Sequence, residues 1–72
     1  MDGLNMKKGE SYKIKGFTDD EIANKLLILG FLPGSTISLQ RKSPFSGTLY
    51  VNIDGNRMAL RKNEAAAIIV DK

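Results

Sequence analysis

The chain contains no cysteine, no histidine and no tryptophan among its 72 residues. Without thiols no disulfide can form, which fits a reducing compartment. Without thiols or imidazoles the usual ligands of zinc, iron and copper are missing, so a tight transition-metal site built by this chain alone is not expected. Only weak carboxylate sites would remain for a cation. The same gap removes Cys–His and Ser–His–Asp chemistry. No G-x-x-x-x-G-K-[ST] element is present to cradle phosphates, and no candidate base has a neighbour to tune it. The expectation is a protein that is not an enzyme and carries no cofactor. Long apolar runs are scarce as well. The longest, residues 26–33, is broken by Gly30 and falls far short of the roughly 20 residues of a membrane span. The opening MDGLNMKKGE has an early acid and no apolar block, unlike a secretory leader, so a soluble protein is expected.

What is present reads as globular: 42% of residues are hydrophobic and 26% charged. The length predicts a single domain over residues 1–72. A chain this short buries roughly 60% of its unfolded surface, so most of its apolar side chains are needed inside. The net charge of +3 could favour an acidic protein surface, phospholipid headgroups or nucleic acid. Solvated lysines with no partner account for it equally simply.

Residues 11–17, SYKIKGF, alternate. Tyr12 and Ile14 would face a core and Lys13 and Lys15 water, the pattern of a half-buried strand. Leu4 and Met6 precede it, with Lys8-Gly9 as a turn. Thr18-Asp19-Asp20-Glu21 then reads as a capping box, with Thr18 and Glu21 satisfying each other's backbone N–H groups. Asp19 and Asp20 would lie where a helix dipole favours negative charge. Ile22, Ala23, Leu26 and Leu29 follow at helical spacing as one apolar stripe, widened by Leu27 and Ile28.

LGFLPGST, residues 29–36, stops that helix. Gly30 suits a left-handed C′ position, and Phe31 and Leu32 can fold back over the last turn. Pro33-Gly34 fits the centre of a type II turn. A second strand follows with Ile37 and Leu39 inward. After a loop at residues 43–47, TLYVNI places Leu49, Val51 and Ile53 on one face. Asp54-Gly55 is a hairpin turn, RMALR the return strand with Met58 and Leu60 inward, and Asn63 a cap for one helical turn through residues 64–66. Ile68 and Val70 mark a last strand. Short, evenly spaced strands must hide their edges. The expected fold is mainly β: a small SH3-like five-stranded barrel with one α-helix between the first and second strands.

Four features in order carry a resemblance. They are Ile14 with Gly16-Phe17; Leu26-Leu27-Ile28-Leu29-Gly30-Phe31; Leu32-Pro33-Gly34-Ser35; and Ser43-Pro44-Phe45 with Ala59-Leu60-Arg61-Lys62 and Glu64-Ala65. Together they resemble the FeoA family, small proteins encoded with the bacterial ferrous iron transporter FeoB. The resemblance implies an SH3-like barrel in a cytoplasmic accessory protein that regulates FeoB, itself a membrane transporter with a GTP-binding domain. The same domain type ends iron- or manganese-dependent transcriptional regulators. No winged-helix segment precedes it in these 72 residues, so the stand-alone form is the expectation.

Candidate partner-binding residues are those that look apolar or basic yet fall in loops or at strand ends. Leu32 and Pro33 lie in the helix-to-strand corner, and Phe45 in a Pro-containing loop, where it could instead pack inward. Arg41 closes the second strand. Arg61 and Lys62 precede the short helical turn, where an ion pair with Glu64 is the plainer account. An alternative is a nucleic-acid-binding or regulator-associated barrel using Lys13, Lys15 and Tyr50, but there is no RNP-like aromatic pair, and no nucleic acid is expected. Weak self-association through strand edges is open.

Overall fold

The computed structural model describes all 72 residues. After a 3₁₀ turn at Gly3–Asn5 come β1 (Ser11–Phe17), α1 (Asp20–Ile28), β2 (Thr36–Lys42), β3 (Thr48–Ile53), β4 (Asn56–Arg61), α2 (Lys62–Ala66) and β5 (Ile68–Asp71). The five strands form one antiparallel sheet in the order β4-β3-β2-β1-β5. Bulges between Ile14 and Gly16 in β1, and between Leu39 and Arg41 in β2, bend the sheet. Its concave face is closed by Tyr12, Ile14, Ile37, Leu39, Leu49, Val51, Ile53, Leu60, Ile68 and Val70, all buried.

The expected barrel does not close, because β4 and β5 do not pair. The chain crosses between them through α2, whose Ala65 is buried. A helical turn satisfies its own backbone and bridges two edges without a ladder. The outer edge of β5 takes residues 1 and 2: Val70 N–H donates to the Met1 carbonyl at 2.8 Å, and Asp2 bridges to Ile69. The outer edge of β4 pairs with no strand.

Local chemistry accounts for the turns. Gly30 has φ +98°, its N–H donates to Leu27 at 3.1 Å, and Phe31 N–H donates to Leu26 at 2.9 Å. This is a Schellman closure, with Phe31 and Leu26 meeting in the core as its hydrophobic contact. Ser35 N–H then donates to Leu32 at 2.9 Å across Pro33-Gly34, so the type II turn stands. Asp54 carries φ +49°, and its carboxylate accepts from Thr36 N–H at 3.0 Å, which ties the β3–β4 turn to the start of β2. Tyr12 is buried, but its hydroxyl accepts from Lys7 N–H at 2.9 Å and donates to Glu10 at 3.0 Å.

Two expected caps are corrected. Asp19, not Thr18, caps α1: its carboxylate accepts from Ile22 N–H at 3.1 Å. Thr18 N–H is held by the Ala67 carbonyl at 2.9 Å, which keeps Thr18 attached to the sheet and delays the helix by one residue. Arg61, not Asn63, is the N-cap of α2. There Glu64 accepts from Arg61 N–H at 2.8 Å. The reciprocal half of a capping box is impossible, because a guanidinium has no acceptor.

Candidate functional site

The expected apolar stripe on α1 is mostly not core. Leu26 is fully buried and Ile22 partly so, whereas Ile28 is 85% exposed and Leu27 and Leu29 are exposed. The reason is geometric. At about 100° per residue, Ile28 points nearly opposite to Leu26, and a nine-residue helix laid on the end of a sheet has only one side to bury. Leu32 and Pro33, just past the Schellman closure, are exposed too. The α1–β2 corner therefore presents Ile28, Leu29 and Leu32 to solvent. Exposed leucines scattered singly need no explanation, but a cluster on one corner does.

Beside that corner runs a groove of about 290 Å³ lined by Lys25, Leu29, Ala59, Arg61 and Glu64, among others. Its frame is an ion pair between elements. Lys25 Nζ of α1 lies 2.6 Å from Glu64 Oε2 of α2, and Glu64 Oε1 holds Arg61 N–H. Arg61 thus contacts Glu64 through its backbone, not through the ion pair expected of its side chain. Burial pushes the Glu64 carboxyl up, but the Lys25 ammonium and the Arg61 N–H together hold it below the ordinary carboxylate value. A group depressed on folding stabilises the fold above its unfolded pKa, and loses that effect as pH falls through the folded one. Glu64→Gln is expected to cost about 1 kcal/mol at neutral pH. The gap to wild type should narrow as urea denaturation is repeated at increasingly acid pH; a constant gap would refute the linkage.

The loop between β2 and β3 holds the second feature. Phe45 is 98% exposed, so it does not pack inward. Next to it, Ser46, Gly47, Thr48, Arg61, Lys62 and Asn63 line a wholly polar groove of about 540 Å³. Lys62 lies along Gly47, where an added Cβ would sit 3.5 Å from its side chain. Arg61 is brought to the loop because it pairs with Thr48.

A third group follows the bulge in β2. Arg41 stacks over Tyr50, 4.1 Å from the ring centroid, and shares a depression with Arg57 and Met58. The guanidinium occupies the ring face that a nucleobase would need. Arg41 and Lys42 also flank a shallow hollow with Lys8 and Met6.

Of the residues expected to bind a partner, Leu32 and Pro33 fall at the α1 corner. Arg61 lies between that corner and the Phe45 loop, and Lys62 beside the loop. Leu32 precedes β2 and Phe45 follows it, so the two flank opposite ends of that strand. Ile28 and Leu29 were missed as surface residues, although helical spacing separates Ile28 from the Leu26 face. No three carboxylates converge on a point that could hold a metal ion. No helix is long and apolar enough to cross a membrane. The surface offers apolar and cationic groups suited to contact.

A search of curated protein sequences found no match. Solved structures match well. FeoA of Stenotrophomonas maltophilia, in complex with zinc, is 32% identical with a TM-score of 0.83, over 99% of this chain and 89% of that one. It is described as a procaryotic SH3 domain protein and a candidate ferrous iron transport activating factor. FeoA of Chlorobium tepidum is 25% identical with a TM-score of 0.86, over 99% of this chain and 69% of that one. The manganese-activated repressor ScaR shares the fold at 22% identity and a TM-score of 0.87, this chain spanning 35% of its length. The SH3-like sheet and helix are common to all three, a family model for the FeoA domain matches residues 4–72, and the chain belongs to the FeoA family.

Proposed function

We propose that this chain is a cytoplasmic accessory factor of bacterial ferrous iron uptake. It would act by docking on the transporter FeoB through the α1 corner. The observation that carries the reading is the exposure of Ile28, Leu29 and Leu32 on one corner of a chain with few apolar side chains to spare. The groove alongside, with Arg61 and the Lys25–Glu64 pair on its rim, supplies the polar border that surrounds an apolar contact in a protein interface. Membership of the FeoA family supports iron uptake as the setting. The function is binding rather than catalysis, and no cofactor is assigned.

The test is capture of the intact transporter, and of its soluble cytoplasmic domains, by wild type and by Ile28→Asp and Leu32→Asp. Each substitution should weaken association by roughly tenfold or more, while the thermal midpoint moves little because both side chains already face water. Equal capture by both variants would exclude this corner. Failure of the wild type to associate with the intact transporter would remove the reading.

A further inference from the structure

We propose that the β2–β3 loop is a membrane-surface anchor that places Phe45 in the interface of an anionic bilayer, with Lys62 and Arg61 against the lipid phosphates. Phe45 is almost wholly exposed, although a small chain gains by burying every aromatic it has. The exposure is not the result of an unstructured tip. Ser43 N–H donates to the Thr48 carbonyl at 2.8 Å and closes the base of the loop. Ser46 Oγ donates to Thr48 Oγ1 at 3.1 Å, and Ser46 N–H reaches Ser43 Oγ at 3.4 Å. Pro44 restricts the approach, and Gly47 turns out of it at φ +69°. The backbone is therefore fastened below Phe45 and holds the ring outward.

The surroundings select the ligand. The polar groove beside the ring is lined by Arg61 and Lys62, two hydroxyls and an amide, with no carboxylate. Lys42, at the end of β2, gives its ammonium to the Leu4 carbonyl at 3.3 Å and lines a second hollow with Lys8 and Arg41, again without a carboxylate. The only salt bridges in the chain are Lys25–Glu64 and Lys72–Glu10, so none of these five cations forms one. A protein hot spot would surround its aromatic with further apolar contacts. A single exposed ring beside the Arg61 and Lys62 side chains matches an interface where the ring meets acyl chains and the cations meet phosphates. Ile28, Leu29 and Leu32 of the α1 corner do not line this polar groove, although Arg61 lines both it and the groove at that corner.

The inference does not depend on the docking reading, and its test contains no transporter. Because the chain has no tryptophan, Phe45→Trp creates a single fluorescent reporter at the loop apex. With phosphatidylglycerol-containing vesicles at low salt, its emission should shift to the blue and the wild-type protein should co-sediment. Pure phosphatidylcholine vesicles should produce neither effect, and raising the salt should reverse both. Phe45→Ala should weaken vesicle binding about tenfold, and Lys62→Glu by a similar, roughly tenfold factor. Co-sedimentation without an emission shift would mean adsorption through another basic face and would overturn the proposal. An equal shift on phosphatidylcholine, or no binding by the wild type at low salt, would overturn it as well.

Discussion

Replacing Phe31 by alanine is expected to remove about 3–5 kcal/mol of stability. A domain of this length has roughly 4–11 kcal/mol in total, so the variant should sit close to its unfolding threshold. Three roles meet at this residue. The ring is fully buried in the core shared by Leu26, Ile14 and Leu60. Its N–H closes the Schellman motif on Leu26. Its position, one residue past Gly30, fixes where the chain leaves α1 and enters the Pro33-Gly34 turn. Alanine keeps the backbone bond and deletes the ring, leaving a cavity at the junction of helix and sheet. Urea denaturation would measure the loss directly, and the thermal midpoint should fall by roughly 15 °C or more. Phe31→Leu should recover part of it. A loss no larger than that of an exposed control such as Phe45→Ala would contradict the assignment of Phe31 to the core.

Gly3→Ala is expected to cost about 1–3 kcal/mol, a large effect for one methyl group near a chain end. No unusual backbone angle is involved, since Gly3 is not in the positive-φ region. The cause is space. A Cβ at this position would lie 2.5 Å from the Ala65 carbonyl oxygen and 3.3 Å from its Cα, and these are backbone atoms of α2 that cannot rotate away. Either the 3₁₀ turn or α2 must shift. Because α2 carries Glu64, a shift would also disturb the Lys25 contact that joins α2 to α1. Gly16→Ala is the matching control: an added Cβ there meets nothing within 4 Å, and its stability should stay near wild type. Equal thermal midpoints for Gly3→Ala and Gly16→Ala would rule out the close approach.

These two residues mark where the sequence was legible. Phe31 could be placed from its neighbours, because Gly30, Pro33 and Gly34 impose backbone angles that few other residues adopt, and local rules then dictate the corner. Asp54-Gly55 and the alternating strands were readable for the same reason. Gly3 could not be placed, since its demand comes from Ala65, far along the chain. The helix caps moved for a related reason. Thr18 satisfies the local pattern for a cap, but a carbonyl at Ala67 claims its N–H first. Closure of the sheet was over-read: strand spacing shows that edges need covering, without showing that a helical turn will cover them. Of the candidate site, the residue types were visible and their grouping was not. Arg61 and Lys62 join the Phe45 loop only because β4 pairs with β3 in the register that sets Thr48 against Arg61. Ile28 was assigned inward by composition, although its angular position already placed it on the far side of α1.

The unpaired margin of β4 has a consequence for how copies of this protein meet. Two such strands aligned head to tail about Ala59 would set Arg57 of each against Arg61 of the other, doubling a guanidinium repulsion at both ends of the seam. Dimerisation of two copies through this edge is thereby discouraged by charge, and an incoming strand rich in aspartate or glutamate would find the same edge welcoming.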